Sequence, residues 1–499
     1  MPWLIALAAV HITIRVTISP ALKWDEAQQI LWTQQLQWGY GAQPPLYTWV
    51  QWCVNQLLGP CVLALSLVKH TFIALTCVLM WLAARELMGR RAAWWSAASL
   101  WLLLPFGWFS VRDQTHTVLV TAMTCGAWWL LLRIVRRAGS GCQREFAALG
   151  LMCGCGMLSK YSFALAAAAL IAAFLSVRGP RRALLGRGWW WTPLIGLIVV
   201  APHGWWLLSH WHDATAGTIR EMTIAPRHNW GAGLVSLIAA VLGMLAPWAL
   251  LTLAAFGPAW WRRPDPAPEI PGWPASWLRR VFGRYLALIA LALLFMVFAA
   301  DVTVFKGRWV LPLLVPVPLM AFALRPELDA DRRGKRFTAV ALALILVIVI
   351  AAGTRPWLAA IDGGVDELNH PAVQLAQALR EAGYNGRGRI IAADHMLAGM
   401  LRTRFPGAPA AACYPDDGGV ADCVASNVQV AGRAGQGWLI ISRADRIEPD
   451  WWNLALSHIP GSDSLPRGNL RIPFRMVRRD HPLASYDFVW HPPQPPAQP

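Results

Sequence analysis

The sequence predicts an all-α polytopic membrane protein with about eleven transmembrane helices and a small C-terminal α/β domain outside the cytoplasm. Three observations carry this. Of 499 residues, 56% are hydrophobic, only 14% are charged and 31 are tryptophan, a balance too apolar for a soluble globule. Apolar runs long enough to cross a bilayer alternate with loops of contrasting charge. Near residue 355 these runs stop and charged, Pro and Gly residues become frequent, which separates a membrane domain over 1–354 from a unit over 355–499.

Spans of about 17–25 mainly apolar residues are needed to cross the hydrocarbon core. Such segments fall at 3–22, 61–84, 92–111, 116–134, 146–159, 161–177, 189–210, 233–256, 284–302, 309–324 and 337–354. The first contains His11 and Arg15 and lacks a small-residue cleavage site, so it reads as a retained signal anchor.

The net charge of +17 is no nucleic-acid footprint, because it is distributed by alternate loops. Twenty-one basic residues fall in one set, at 85–91, 133–144, 178–187, 262–284 and 325–336. The opposite set holds seven: Lys23, Arg112, Lys160, Arg220, Arg227, Lys306 and Arg308. This positive-inside asymmetry puts the N-terminus in the cytoplasm of a multi-pass inner-membrane protein, with loop 23–60 and the C-terminal domain on the periplasmic side.

Of nine cysteines, Cys53, Cys61, Cys77, Cys125, Cys142, Cys153 and Cys155 lie in or near spans, where Cys behaves as a small apolar residue. The spacing of Cys153-Gly154-Cys155 is wrong for a structural zinc pair. Cys413 and Cys423 flank YPDDGGVAD in the extracytoplasmic region, where an oxidising compartment would close them into a disulfide loop.

The first outer loop is the most informative stretch. Asp25 and Glu26 stand where the first apolar run ends, either as reactive carboxylates or as the acidic first turn of a helix over 25–37. That helix carries Trp32 and Leu36 along one side and suits the membrane interface. Gly39-Tyr40-Gly41 breaks it, and Gln43-Pro44-Pro45 fixes a rigid corner before Tyr47 and a second short helix at about 46–57. Two interfacial helices and a rigid corner exceed what a connector needs.

Further along, Asp113 sits beside Arg112 at the outer edge of the third span, where a charge is cheap. Its plain reading is a surface ion pair. Lys160 stands in a tight outer turn, Leu158-Ser159-Lys160-Tyr161, as a snorkelling cation or a phosphate ligand. His210, His212 and Asp213 are ordinary interfacial polar residues or, less simply, metal ligands. Lys306 and Arg308 lie on the side that the positive-inside bias disfavours. Cations kept there need a partner, and a phosphate is the natural one, with Asp301 or a lipid headgroup as alternatives.

In the C-terminal unit the pattern predicts helices near 366–383 and 396–404 and strands at 389–393, 437–442 and 484–490, a sheet covered by helices. Asp394-His395 reads as a helix cap in preference to a binding pair. The tail HPPQPPAQP is Pro-rich low-complexity sequence.

DEAQQ after the first span, QPPLYTW in the same loop, the Asp113 segment, LSKYSFAL, APHGWW, APW and KGRWVLPLLVPVPL follow one another in an order that resembles the bacterial family 39/83 glycosyltransferases of the GT-C fold, the group containing lipid A aminoarabinose transferase. The resemblance covers about residues 1–330. It implies a membrane enzyme that moves a hexosyl or pentosyl group from a polyprenyl-phosphate carrier to a lipid, glycan or protein acceptor, at the outer face of the inner membrane.

By position, the resemblance implies Asp25 as the catalytic carboxylate, with Asp113 as second acid and Glu26 beside it. Lys306, Arg308 and Lys160 would take the donor phosphate, and Gln43, Pro44, Pro45 and Tyr47 would form the substrate loop. No nucleotide loop and no metal ligand set is required, although a divalent ion is compatible. Where aminoarabinose transferases carry a basic residue and an acid-Lys pair, this chain has Gln28 and Ala42-Gln43, which argues against aminoarabinose as the sugar. The competing class, a transporter or flippase of lipid-linked substrates, would place its polar groups near mid-membrane. A membrane scaffold would leave Asp25 dispensable.

Overall fold

The computed structural model describes residues 2–139, 141–223, 229–260, 273–325, 328, 333–361, 363–414, 419–444, 450–461, 465–478 and 480–493. Arg227 and His228, the Pro- and Arg-rich stretch 261–272, Arg332, residues 415–418 of the cysteine-flanked loop and the last residues of the Pro-rich tail lie outside them. Contacts divide the chain into two units. One is Met1–Ala8, Gln37–Tyr47 and Lys69–Val349; the other is Ala9–Leu36, Thr48–Val68 and Ile350–Pro499.

Among the described residues six helices are long and apolar enough to cross a bilayer: Val62–Arg85, His116–Arg136, Trp191–Ser209, Trp230–Phe256, Ala275–Phe298 and Gly334–Ile361. Counting Ser162–Leu175 with Arg178–Leu184, bent by 111°, makes seven. The expectation of eleven is therefore not met by unbroken spans. The 92–111 segment divides into an α-helix at Arg90–Ala98, a 3-10 turn at Ser99–Leu102 and a π-helix at Pro105–Ser110. Leu103 is extended, two residues before a proline that cannot continue a hydrogen-bond ladder. The 309–324 segment divides likewise into Gly307–Leu314 and Val317–Ala323, around Pro316.

In the first unit, apolar side chains such as Leu197, Val235, Leu250 and Leu291 stay exposed on the long helices, as a lipid-facing surface requires. A glycine seam brings Gln143–Met157 against Trp191–Ser209. A Cβ at Gly150 would lie 2.5 Å from the Thr192 carbonyl oxygen, and one at Gly154 would lie 2.7 Å from Val199. This Gly-x-x-x-Gly contact gives the CGC stretch a packing reason. On the arginine-rich side, Glu86 pairs with Arg133 and Arg136, and Glu145 pairs with Arg133 and Arg137.

The second unit is built on a five-stranded mixed sheet. Its strands are β1 (Arg389–Ala392), β2 (Ala410–Ala412), β3 (Trp438–Arg443), β4 (Gly468–Ile472) and β5 (Ala484–His491), in the order β2-β1-β3-β5-β4. β1 pairs in parallel with β2 and β3, while β5 pairs antiparallel with β3 and β4. Helices Ala372–Glu381 and His395–Arg404 pack on one face, with Leu375, Leu397 and Leu401 buried, and Val420–Arg433 and Trp451–Ser457 on the other. β2, β4 and these last two helices were not anticipated from the pattern. A disulfide joins Cys413 to Cys423.

N-terminal residues complete this unit. Gln34 extends the edge of β2 through its amide, accepting from the Ala410 N–H at 2.8 Å and donating to the Ala410 carbonyl at 2.7 Å. Ser19 donates to the Leu368 carbonyl, and Ala21 is buried in the core with Leu375 and Tyr486. Such capping answers the exposure of an edge strand.

Candidate active site

Asp25 and Glu26 occupy the first turn of helix Trp24–Trp32, and their environments differ. Glu26 is fully buried; its carboxylate accepts two hydrogen bonds from Arg15, at 2.5 and 3.2 Å, and a third from the Lys23 backbone N–H. Arg15 also donates to the carbonyls of Ser19 and Ala21. Glu26 is thus the capping and ion-pairing member of the acidic pair, a geometry that ties the end of the first helix to the start of the next. Asp25 is half-buried.

The substrate-loop residues lie in the other unit. Tyr40 and Gln43 exchange backbone hydrogen bonds around a two-residue turn, where Gly41 adopts a φ of 56° that suits glycine at the first turn position. Pro44 and Pro45 follow, both buried. The Leu46 N–H then donates to the Leu158 carbonyl at 3.0 Å, joining this loop to the turn that carries Lys160. Tyr47 is fully buried with its ring against Phe72 and His116. The Gln43 side-chain oxygen is buried and accepts no hydrogen bond among the described residues.

Lys160 donates to Thr117 Oγ1 at 3.0 Å. Beside it, a column of rings runs Tyr161, His203, Trp206, His210, with interplanar angles of 19°, 17° and 5°. His203 Nδ1 lies 2.6 Å from the Trp38 carbonyl, and a Cβ on Gly39 would strike the Trp206 ring. The glycines of the loop let it close onto this column. His210 Nδ1 faces the Trp206 carbonyl at 3.0 Å, and among the described residues no group of three or more His, Cys, Asp or Glu side chains gathers as a metal site.

Asp113 follows the π-helix Pro105–Ser110, a form concentrated at functional sites. Its carboxylate pairs with Arg112 at 2.9 Å. Lys306 and Arg308 flank the start of helix Gly307–Leu314 and converge on one oxygen, Glu221 Oε2, at 2.8 and 3.6 Å. Glu221 comes from helix Trp211–Met222, whose last carbonyl accepts from the Thr303 and Val304 N–H groups. Phe305 N–H donates to Ser236 Oγ at 2.8 Å, so the stretch 303–305 is held from two helices. Residue order points to a phosphate for these cations, with Asp301 or a lipid headgroup as alternatives, and carries no sign of Glu221.

Residues 42–206 match the family described as dolichyl-phosphate-mannose-protein mannosyltransferase. The chain is 32% identical over 428 residues to lipopolysaccharide core galacturonosyltransferase RgtB of Rhizobium johnstonii, covering 83% of each chain. It belongs to the GT-C fold glycosyltransferases. RgtA of the same organism, also named a lipopolysaccharide core galacturonosyltransferase, is 29% identical to this glycosyltransferase over 81% of this chain and 80% of its own. Among solved structures, ArnT from Cupriavidus metallidurans bound to undecaprenyl phosphate aligns with a TM-score of 0.61 at 15% identity, over 98% of this chain and 97% of that one. Its apo form aligns at 0.58. The glycosyltransferase assignment sets the transporter reading aside.

Proposed function

We propose that this glycosyltransferase moves a galacturonosyl residue from a polyprenyl phosphate to the core of lipopolysaccharide, at the periplasmic face of the inner membrane. The carrying observation is the convergence of Lys306 and Arg308 on a single oxygen. Two cations aimed at one acceptor position suit a phosphate, for which Arg supplies a planar fork and Lys a point charge. The names of the two relatives support the sugar and the acceptor. The undecaprenyl phosphate bound to ArnT supports the carrier, and Gln28 and Ala42-Gln43 fit a sugar other than aminoarabinose.

In this reading Asp25 takes the proton from the attacking acceptor hydroxyl. The new glycosidic bond forms as the anomeric carbon–phosphate oxygen bond breaks, and the electron pair leaves with the lipid phosphate. Lys306 and Arg308 stabilise that charge, assisted by Lys160. Asp113 serves as the second acid, and Glu26 holds Asp25 in place through Arg15. The buried Gln43 oxygen supplies an acceptor for a sugar hydroxyl. Pro44, Pro45 and Tyr47 keep that loop rigid.

Membership of residues 9–36 and 350–499 in one contact unit supports a common side for residues 23–36 and the C-terminal residues, and the Cys413–Cys423 disulfide supports an oxidising one. The test uses purified full-length protein with radiolabelled undecaprenyl-phosphate galacturonic acid and lipopolysaccharide. Wild type should release undecaprenyl phosphate and label the core, and Asp25→Asn should lower kcat by about 10²–10⁴-fold. Undiminished turnover in that variant overturns Asp25 as the base.

A further inference from the structure

Three aromatic rings meet beside Asp25, drawn from three separate stretches of the second unit. Trp24 lies 5.3 Å from His395 and 5.7 Å from Tyr414 between ring centroids, and His395 lies 6.3 Å from Tyr414. The interplanar angles are 54°, 82° and 44°, so no pair is stacked face to face. Trp24 remains 36% exposed, and the other two rings are half-buried.

Each ring is held from behind. Trp24 opens the helix that Glu26 caps and anchors to Arg15. His395 opens a helix capped by Asp394, whose Oδ1 accepts from the Leu397 N–H at 2.7 Å. The two helices touch at glycine distance: a Cβ on Gly399 would lie 2.7 Å from Ala27. Tyr414 follows Cys413, which is fixed by the disulfide, by its N–H on the Ala392 carbonyl and by the indole N–H of Trp451 on its own carbonyl.

We propose that Trp24, His395 and Tyr414 form a stacking platform for the acceptor saccharide. This rests on the reading of Asp25 as the base. A general base must come within about 3 Å of the hydroxyl it deprotonates, so the sugar ring bearing that hydroxyl sits within reach of the residue next to Asp25. A pyranose presents a face of C–H groups that packs on an aromatic ring, while its hydroxyls need hydrogen-bond partners at the ring edges. Indole, imidazole and phenol supply both. A tryptophan serving only as a membrane anchor would need no partners from a globular unit. Here two of the three rings come from the strand ends and helix starts of the C-terminal sheet.

The experiment measures full-length protein in nanodiscs, with deacylated lipopolysaccharide core oligosaccharide as the probe, in two arms. By calorimetry, Trp24→Ala and Tyr414→Ala should weaken oligosaccharide binding at least tenfold, while Trp24→Phe and Tyr414→Phe stay within threefold of wild type. By transfer assay, the alanine variants should raise the KM for the acceptor and leave the KM for undecaprenyl-phosphate galacturonic acid unchanged. Oligosaccharide binding equal to wild type in both alanine variants overturns the proposal. So does a change that follows the phospholipid composition of the nanodisc with oligosaccharide binding intact, or a fall in melting temperature without any change in acceptor binding. An absence of transfer by wild type, with binding lost in the alanine variants, would count against the assigned reaction and leave the platform standing.

Discussion

The carboxylate of Glu221 lies 2.8 Å from the ammonium of Lys306, and the same oxygen is 3.6 Å from Arg308. All three side chains are substantially exposed, so the cluster contributes at most about 1 kcal/mol to folding. Its consequence lies in binding. Glu221 occupies the position at which the donor phosphate is proposed to sit, and the donor must displace it. Glu221→Gln should lower the donor KM by roughly threefold, the scale of one released surface pair, with the melting temperature unmoved. Lys306→Ala should raise it at least about tenfold, as expected for a lost charged hydrogen bond. Donor affinity unchanged by Lys306→Ala would remove the phosphate assignment.

Glu26 and Asp25 should separate in experiment although they are neighbours. Glu26→Ala leaves Arg15 buried without its counter-ion, at a cost of about 3–5 kcal/mol. Thermal unfolding should show a large loss there and little change in Asp25→Asn. The kcat of the folded fraction should fall far more in Asp25→Asn, which removes the base, than in Glu26→Ala, which only loosens its support.

The Cys413–Cys423 disulfide closes a short loop, with a sequence separation of 10. Loop-closure entropy for such a loop gives about 2–3 kcal/mol. Replacing both cysteines with serine should lower the unfolding midpoint of the C-terminal unit accordingly. If Tyr414 stacks on the acceptor, the acceptor KM should rise while the donor KM holds.

Gly399 has no room for a side chain against Ala27. Gly399→Ala should overpack this helix contact and destabilise by about 1–3 kcal/mol, read as earlier proteolysis at the start of the C-terminal unit. Stability equal to wild type would show that the two helices can part without loss.

Much of the outline was legible in composition and pattern. The apolar segments become helices, and the loop at 23–49 shows the turn at Gly41 and the Pro44-Pro45 corner. Its helix, however, stops at Trp32 instead of running on to 37, because Thr33 caps it by turning its hydroxyl onto the Gln29 carbonyl, and Leu36 falls outside it. β1, β3 and β5 lie where short apolar runs predict them. Other features were not legible. The 92–111 run is apolar throughout, so hydropathy treats it as one span, whereas Pro105 and the extended Leu103 divide it. β2 is three residues long and amphipathic to no useful degree. The signal for the helix contact at Cys153-Gly154-Cys155 lies in the Gly150 and Gly154 spacing and not in the cysteines.

What could be read from the linear order of residues were properties set by neighbours within a turn or a span: apolar length, the charge bias of alternate loops, helix starts and tight turns. Those follow from local sterics and from the cost of burying charge in hydrocarbon. The partners of the charged groups follow from neither. Glu221 meets Lys306 across 85 residues, Gln34 meets Ala410 across 376, and Trp24 meets His395 and Tyr414 in one cluster. A side chain at one end of such a pair carries no mark of the other, because the pairing depends on how packed helices and strands bring distant backbone together.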